Sequence, residues 1–328
     1  MLVWIDKIFK TESDKTHATG RRALKTLILH NRHYNSLLER PIDMLYLATS
    51  YKALESYVDV ISDVLLGDTG PAVPIWRILS ALIFILGNNH SNIRLKAARL
   101  LRHLDERNRR GSKLQDLEIS ISDQTTAVNK NAQYEMSSRL AAKNAELAFL
   151  VFSEFSRHLK HLHPDHQRNM IAALLPWMKA VKLQVEPEGG VTGPTYMLLA
   201  NLVDITIKCS SALPHETQAL WQALATGPYA GNVQLILDFI ISLSLNRSDE
   251  NFVKIAKQIV VFLSGTAAGQ KVIDFLLQQI GPTTMVNSVE RRLVSAPAEA
   301  KVLPFLADLS AVLPPGNRQV SFLNLYLS

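Results

Sequence analysis

Four histidines that stand close together are the residues best suited to metal chemistry in this sequence. They are His158, His161, His163 and His166. Neutral imidazole rings bind zinc, but structural zinc sites use a fixed ligand spacing. No His-Glu-x-x-His motif is present, and Pro164 separates the last histidine from the helix that carries the first. The pattern therefore favours solvated histidines at a helix end over a metal site.

A glycine-containing segment at 265–272 invites comparison with a phosphate-binding loop. A P-loop needs four residues between its glycines, a lysine directly after the second glycine and then a hydroxyl residue. Here three residues separate Gly265 from Gly269, Gln270 precedes Lys271, and Val272 has no hydroxyl. A turn between helices explains the segment better. The sequence also contains no Gly-x-Ser-x-Gly elbow and no carboxylate pair placed by a known motif, so it predicts no enzyme and no cofactor.

A set of basic side chains is the remaining candidate for binding. Arg94, Lys96, Arg99 and Arg102 fall on the polar side of a predicted helix, and three further arginines follow at 107, 109 and 110. Such a set can contact nucleic acid phosphates. It lacks interleaved aromatic rings for base stacking, and no DNA-reading motif is present, so nucleic acid is disfavoured. A solvated helix face is the simplest interpretation and an acidic protein partner is the second, and these four residues are the predicted partner-binding set.

Composition bounds the class of protein. The chain has 328 residues, 47% of them hydrophobic, and a formal net charge of +6. This mild excess would suit an acidic partner, a membrane surface or nucleic acid, but a solvated surface is the simpler interpretation. Its single cysteine, Cys209, cannot form an internal disulfide, which fits a reducing compartment. Residues 1–10 lack the apolar core of a signal peptide. The longest apolar runs, 75–86 and 233–245, are shorter than the roughly 20 residues of a membrane span. These features predict a soluble, cytoplasmic protein without a transmembrane segment.

The elements that must position these residues are helices. Apolar runs at 233–245, 252–263 and 272–280 are separated by short polar joints, and the first is apolar on nearly every side of a helical wheel. A helix of this kind is buried on more than one side. Stacked helices provide such a position, since each has neighbours before and behind. The sequence predicts an all-α fold.

One stretch indicates the type of helical array. An apolar run at 75–86 is followed by a Gly-Asn-Asn-His turn and a second amphipathic helix with Ala97 and Leu101 on its apolar face. This order resembles a HEAT repeat, in which a small alanine allows two helices to approach closely. Ala23 and Leu27 share the spacing, two repeat lengths away if one repeat is roughly 37 residues. We therefore expect an α-solenoid of HEAT/armadillo-like helical repeats.

The predicted organisation has three parts. Residues 1–106 form N-terminal repeats, 107–131 form an exposed polar loop with a short extended piece near 117–122, and 132–328 form C-terminal repeats. Long loops in compact arrays are either functional or mobile, and the serines and threonines here invite phosphorylation, although a plain linker is the better interpretation. Residues 132–162 are predicted as a single helix, and Pro176 is expected to kink or split the next one. Further helices are expected at 284–294, 297–309 and 319–327.

Several stretches resemble the Furry family of cell-morphogenesis proteins, especially its fungal members. The best are QALWQALA at 218–225, GNVQLILDFIIS at 231–242, AKQIVVFL at 256–263 and GQKVIDFL at 269–276, with IRLKA at 93–97 and LPWM at 175–178 upstream. The likeness is strongest from 134 to 286 and weak beyond 292. These are packing motifs, so their specificity comes from combined length and order.

The resemblance carries expectations about fold and function. Furry-family proteins are very large, so this chain corresponds to a fragment of the central region. The resemblance implies a HEAT/armadillo-like scaffold that supports an NDR-class kinase and its Mob coactivator in polarised growth, linked to the cytoskeleton and the cell cortex. It supplies no residue-level binding motif. The alternative is a helical-repeat adaptor that binds another acidic partner or nucleic acid.

Overall fold

The computed structural model describes residues 1–67, 73–187, 190–246 and 250–272. Over this part of the chain the regular elements are helices, and an isolated antiparallel bridge joins Val185 to Val191. The fold is all-α with helices packed against their neighbours, as in a HEAT/armadillo-like solenoid, which confirms the predicted class. Two compact units divide the chain, Met1–Trp177 and Met178–Ser328. None of the described helices has the length and apolar character needed to cross a membrane.

The first unit holds α1 (Leu2–Ile8), α2 (Asp14–His30), α3 (Ser36–Leu47), α4 (Tyr51–Leu65), α5 (Ile75–Ile85), α6 (Ser91–Arg107), α7 (Glu118–Ser122), α8 (Thr126–Lys143), α9 (Ala148–Leu159) and most of α10 (Pro164–Ala180). These helices form two layers: α2, α4 and α6 lie side by side in one, and α3, α5 and α9 in the other. Consecutive helices α3 and α4, and α5 and α6, pack against each other across short turns. Each pair is therefore one repeat, and its neighbours bury its apolar faces.

The second unit continues with α11 (Gly193–Cys209), α12 (Pro214–Ala225), α13 (Asn232–Asn246) and α14 (Glu250–Ser264). Within it α12 contacts α11, α13 and α14, and α14 contacts α11 and α13. The apolar runs at 233–245 and 252–263 fall on α13 and α14, as predicted. The predicted helices at 284–294, 297–309 and 319–327 lie outside the described residues, as does the run at 272–280 beyond its first residue.

The HEAT-like pair α5 and α6 is confirmed in detail. Ala97 and Leu101 are fully buried on α6. On α2, however, the expected pair Ala23 and Leu27 is only half-buried, and the buried stripe lies one residue along, at Gly20, Leu24 and Ile28. A Cβ at Gly20 would stand 2.7 Å from the Phe9 ring and 2.8 Å from Ile8. Gly20 thus provides the close helix approach that we had assigned to the alanine.

The segment 107–131, which we expected to be a loop, is largely helical. It contains a 3₁₀ turn at Leu114–Leu117, the helix α7 and the beginning of α8. Leu114 and Ile121 are buried, and Asp105 of α6 accepts hydrogen bonds from the backbone N–H and the hydroxyl of Ser112. The alternation at 117–122 resembled a strand because a one-turn helix is too short to display its 3.6-residue period. The division of the chain into three parts stays a prediction. Residues 107–131 lie within the first compact unit, which extends to Trp177.

The predicted helix at 132–162 is two helices. α8 ends at Lys143, a 3₁₀ turn covers Ala145–Leu147, and α9 follows. Pro176, in contrast, does not split α10. Beside it, the Ser137 hydroxyl donates to the Ala173 carbonyl at 2.6 Å and accepts from the Trp177 indole at 3.0 Å. This buried contact fastens the proline-containing turn of α10 to α8.

Replacement of Gly87 by alanine is expected to destabilise the turn between α5 and α6. A Cβ there would lie 1.6 Å from Oδ1 of Asn169, whose amide donates to the Phe84 carbonyl at the end of α5 at 2.9 Å. Overpacking of this kind costs about 1–3 kcal/mol. Urea unfolding should show that loss for G87A. The matched control is G193A, because a Cβ at Gly193 meets nothing within 4 Å; equal stability of the two variants would contradict the prediction.

Candidate partner-binding groove

Arg94, the first of the four predicted partner-binding residues, is not on the surface. Only 2% of the residue is exposed. Its guanidinium donates to the backbone carbonyls of Ile121 (2.6 Å), Asn88 (2.8 Å), Asn89 (2.9 Å) and Asp123. Burial lowers the pKa of Arg94, and the Asp123 carboxylate partly opposes that effect. Its expected place on an exposed basic face is therefore wrong, because the segment that we predicted as a loop covers that side of α6.

Lys96, Arg99 and Arg102 reach the surface of α6, but carboxylates accompany them. Lys96 Nζ lies 3.0 Å from Glu55 and 2.5 Å from Asp59, both on α4. Arg102 pairs with Glu118 of α7, and the guanidinium of Arg99 is 3.8 Å from the same carboxylate. Burial alone would lower the pKa of Lys96, but its hydrogen bonds to the two carboxylates outweigh burial and the pKa is raised. Lys96 is therefore charged and held toward α4.

These three residues line one side of a groove whose other side comes from α2. The groove has a volume of about 670 Å³. Its basic lining consists of Arg21, Arg22, Lys25, Lys96, Arg99 and Arg102. Asp59 and Asp63 from α4 and the imidazole of His103 also line it. Leu66 adds exposed apolar surface, and Val60 and Leu100 are buried. We call this space the α2–α6 groove. Its volume lies within the usual range of ligand-binding clefts.

The α2 residues of the groove were missed from the sequence. Lys25 follows Arg22 by three residues and Arg21 by four, the spacings that place side chains together on a helix. That signal was available, but nothing in the order of the chain says that this helix faces α6. Contact of both helices with α4 brings them together.

The two α4 carboxylates neutralise only part of the charge of the groove. Asp59 lies 4.0 Å from Arg21, in addition to its contact with Lys96, and Asp63 lies 2.8 Å from Lys25. Within the described part of the chain, Arg22 has no carboxylate at ion-pair distance. The Arg99 side chain is 62% exposed. The α2–α6 groove therefore carries a net positive charge.

A second cluster, between α3, α5 and α9, contains the ligand types that hold metal ions. Donor atoms of Asp43, Glu154 and His158 lie within 4.8 Å of one another. Two guanidiniums already share these carboxylates: Arg77 lies 2.9 Å from Asp43 and 3.6 Å from Glu154, and Arg157 lies 2.7 Å from Asp43. The arginines bring the positive charge that a cation would supply. The arrangement is best explained as an ion-pair network that joins three helices.

The four histidines considered for metal binding do not converge. His158 is buried in the ion-pair network, with its ring stacked on Tyr46 at 4.1 Å. His161, His163 and His166 are exposed. Nδ1 of His163 lies 3.5 Å from the carboxylate of Asp165, at the beginning of α10. The histidines therefore share a stretch of sequence but not a site.

Replacement of Glu154 by glutamine is expected to lower the stability of the fold at neutral pH and to reduce the change of that stability with pH in the acid range. Burial alone would raise the pKa of Glu154, but the hydrogen bond with His158 and the charge of Arg77 outweigh burial and the pKa is lowered. A carboxyl with a lowered folded-state pKa stabilises the fold above its ordinary value of 4.5, and this contribution is lost as the pH falls through the lowered value. Glutamine removes the charge but keeps an acceptor, so we expect a loss of about 1–2 kcal/mol.

The measurement is the melting temperature from pH 7 downward for the native chain and E154Q. The two curves should approach each other below pH 4.5, the ordinary value for this carboxyl. E146Q is the control, because Glu146 forms an exposed pair with Arg110 and exposed pairs contribute little. Parallel curves for E154Q and the native chain over the whole range would contradict the assignment.

Comparison with known proteins places this architecture in a family. Residues 10–311 match the family profile described as "Cell morphogenesis central region". The chain is 24% identical over 330 residues to the "Cell polarity protein mor2" of Schizosaccharomyces pombe, which covers all of this chain and 15% of that protein. It is 25% identical over 334 residues to the "Cell morphogenesis protein PAG1" of Saccharomyces cerevisiae, which covers all of this chain and 14% of that protein.

The match confirms the resemblance to Furry-like morphogenesis proteins. The chain spans about one seventh of the length of these two relatives, as expected for a fragment of the central region. Both relatives are named for cell polarity or morphogenesis and not for an enzymatic activity. With the profile extending over nearly the whole length, the chain belongs to the cell morphogenesis central region family.

Proposed function

We propose that this chain is part of a non-enzymatic scaffold in cell morphogenesis and polarised growth. The observation that carries the proposal is the family match over residues 10–311, on an array of helices. The described side chains add support, because the carboxylates of the two charged clusters are each paired with a basic side chain. Such pairs hold helices together and occupy the carboxylates that could otherwise act as a general base.

The partners that we propose are an NDR-class kinase and its Mob coactivator. The resemblance to Furry-like proteins suggests them, together with a location in the cytoplasm at the cell cortex or at sites of polarised growth. Successive helical repeats suit this role because they present extended surfaces to other proteins. On this chain the proposed contact is the exposed Arg99 of α6 together with the half-buried Lys96 and Arg102. Arg94 is removed from that set by its burial.

The test is co-precipitation of the purified 328-residue chain with a purified NDR-class kinase, its Mob coactivator and the complex of the two. Retention of the complex above a beads-only control supports the proposal. Failure to retain the complex, both with this chain and with the full-length protein that contains it, would remove the proposed partners.

An adaptor for a different acidic partner or for nucleic acid is the second candidate. The net positive α2–α6 groove favours it. Nucleic acid binding depends steeply on salt because counterions are released from the phosphates. Titration of labelled single- and double-stranded oligonucleotides at two salt concentrations separates the candidates. Tight, salt-sensitive binding without retention of the kinase complex would favour the nucleic acid role.

A further inference from the structure

We propose that the α2–α6 groove is a docking site for an acidic, extended segment of a protein partner. This inference deepens the proposed scaffold function and rests on it only for the idea that the chain binds protein. It names a site with two sides, whereas the sequence indicated a single helix face.

The first argument is charge. Six basic side chains and two carboxylates line the groove. The carboxylates lie on α4 and are engaged by Arg21, Lys25 and Lys96. The charges of Arg22 on α2 and the exposed Arg99 on α6 are the least neutralised by carboxylates of the chain. Arg22 has none at ion-pair distance among the described residues, and Arg99 reaches Glu118 only at 3.8 Å. Incoming carboxylates would meet both without displacing a close ion pair.

The second argument is the chemistry of the lining. Leu66, which is 49% exposed, provides apolar surface beside the charged residues, whereas Val60 and Leu100 are buried. A peptide offers acidic and apolar side chains in alternation, so it matches both parts of this lining. Nucleic acid fits less well, because no Phe, Tyr or Trp lines the groove and the imidazole of His103 is the one ring among its lining residues that could stack against a base.

The third argument is shape. The charges line a cleft between helices, and the carboxylates Asp59 and Asp63 are part of the same lining. A flat anionic membrane surface would contact the rim and leave the apolar lining uncovered. A free peptide strand can enter the cleft. These points favour a protein segment over a lipid surface.

The paired acids also give the groove selectivity. Asp59 and Asp63 hold Arg21, Lys25 and Lys96 in place, so these cations are ordered before a ligand binds. Preorganised charges cost less to immobilise on binding. The carboxylates would repel an anion that came too close to α4 and so define where the acidic groups of a partner lie.

The test uses fluorescence anisotropy with a short synthetic peptide rich in Glu and Leu, and the 328-residue chain. Its matched control peptide has Gln in place of each Glu. We expect the acidic peptide to bind, the Gln peptide to bind much more weakly, and the affinity to fall as salt is raised, since salt screens exposed charges.

Two charge-matched double variants locate the binding. R22E/R99E reverses charge in the groove, and K130E/K160E makes the same change in net charge at two exposed lysines on α8 and at the end of α9. The groove variant should bind the acidic peptide roughly tenfold more weakly or worse, and the control variant about as well as the native chain. Unchanged circular dichroism and melting temperature would show that both variants fold.

Each other outcome overturns the proposal. The groove is not a peptide site if the acidic peptide fails to bind, or if both double variants lose affinity equally. A single-stranded oligonucleotide or an anionic vesicle could instead bind more tightly than the peptide. If R22E/R99E abolished that binding, the groove would be assigned to that ligand. The result is independent of the kinase–coactivator experiment, because peptide binding is measured without either protein.

Discussion

Replacement of Arg94 by methionine is expected to destabilise the first compact unit by about 3–5 kcal/mol. The guanidinium is buried and donates to four backbone carbonyls, two in the turn before α6 and two at the end of α7. Methionine fills a similar volume but donates no hydrogen bond. The carbonyls lose their donors: the contact with Ile121 is buried and the other three are partly buried. A buried carbonyl left without a donor costs about 1–3 kcal/mol, and a partly buried one less because water reaches it.

The effect of R94M should be local as well as global. Amide hydrogen exchange is expected to rise most in α7 and in the turn at 86–90, since Arg94 joins these two segments. R94K is a useful companion, because lysine keeps the charge but lacks the planar fork that reaches several acceptors at once. It should recover only part of the loss.

R99M is the matched control for Arg94. It makes the same substitution on the same helix at a side chain that is 62% exposed, and surface changes of this kind stay within about 0.5 kcal/mol. If R94M unfolds at the same denaturant concentration as R99M, then Arg94 does not hold α7 in place. In that case its role as a surface residue would return to consideration.

Replacement of Asn232 by alanine is expected to have a comparable effect in the second unit, about 3–5 kcal/mol. This residue is 2% exposed and begins α13. Its amide nitrogen donates to the carbonyls of Val181 (2.9 Å) and Leu224 (3.0 Å), and its oxygen accepts from the N–H of Leu183 (3.1 Å). One side chain thus satisfies three backbone groups at the junction of α10, α12 and α13.

The experiment for Asn232 compares three variants by guanidinium unfolding and by hydrogen exchange at 181–183. N232A removes all three hydrogen bonds, whereas N232D keeps the acceptor and loses the two donated ones. Q234A is the control, because Gln234 is exposed on the same helix. We expect the free energies of unfolding of N232A and N232D to be well below that of Q234A, which should be close to that of the native chain. Protected amides at 181–183 in N232A would contradict the assignment.

Asn232 also explains part of the family resemblance in physical terms. It lies in the stretch GNVQLILDFIIS at 231–242, which pointed to Furry-like proteins. The apolar residues of that stretch pack α13 against its neighbouring helices, but the asparagine has a different role. It connects irregular backbone segments that helical periodicity does not describe, so a propensity argument assigns it no function.

The sequence by itself determined the class of fold and the family. Helical periodicity, turn residues and the absence of catalytic motifs predicted an all-α array of HEAT-like repeats, because each helix must bury an apolar face and short turns leave it beside its neighbour. Ala97 and Leu101 are buried as that reasoning requires. The resemblance to cell-morphogenesis proteins also came from stretches of sequence alone.

Only the tertiary structure decided which polar residues are buried. On a helical wheel Arg94 and Arg99 belong to the same basic face, yet the first is buried and the second is exposed. The difference arises because residues 114–123 cover one side of α6, and a wheel contains no information about a neighbouring segment. The same reason explains why His158 joins Asp43 of α3 and Glu154 of its own helix while His161 stays at the surface.

The α2–α6 groove required the tertiary structure for a further reason. Its two basic sides are 77 residues apart in the chain, from Arg22 to Arg99, and they meet because both helices pack against α4. Periodicity predicts the face that each helix buries but not which helices become neighbours. That choice depends on side-chain complementarity, such as the close approach of α1 to α2 that Gly20 permits at Phe9.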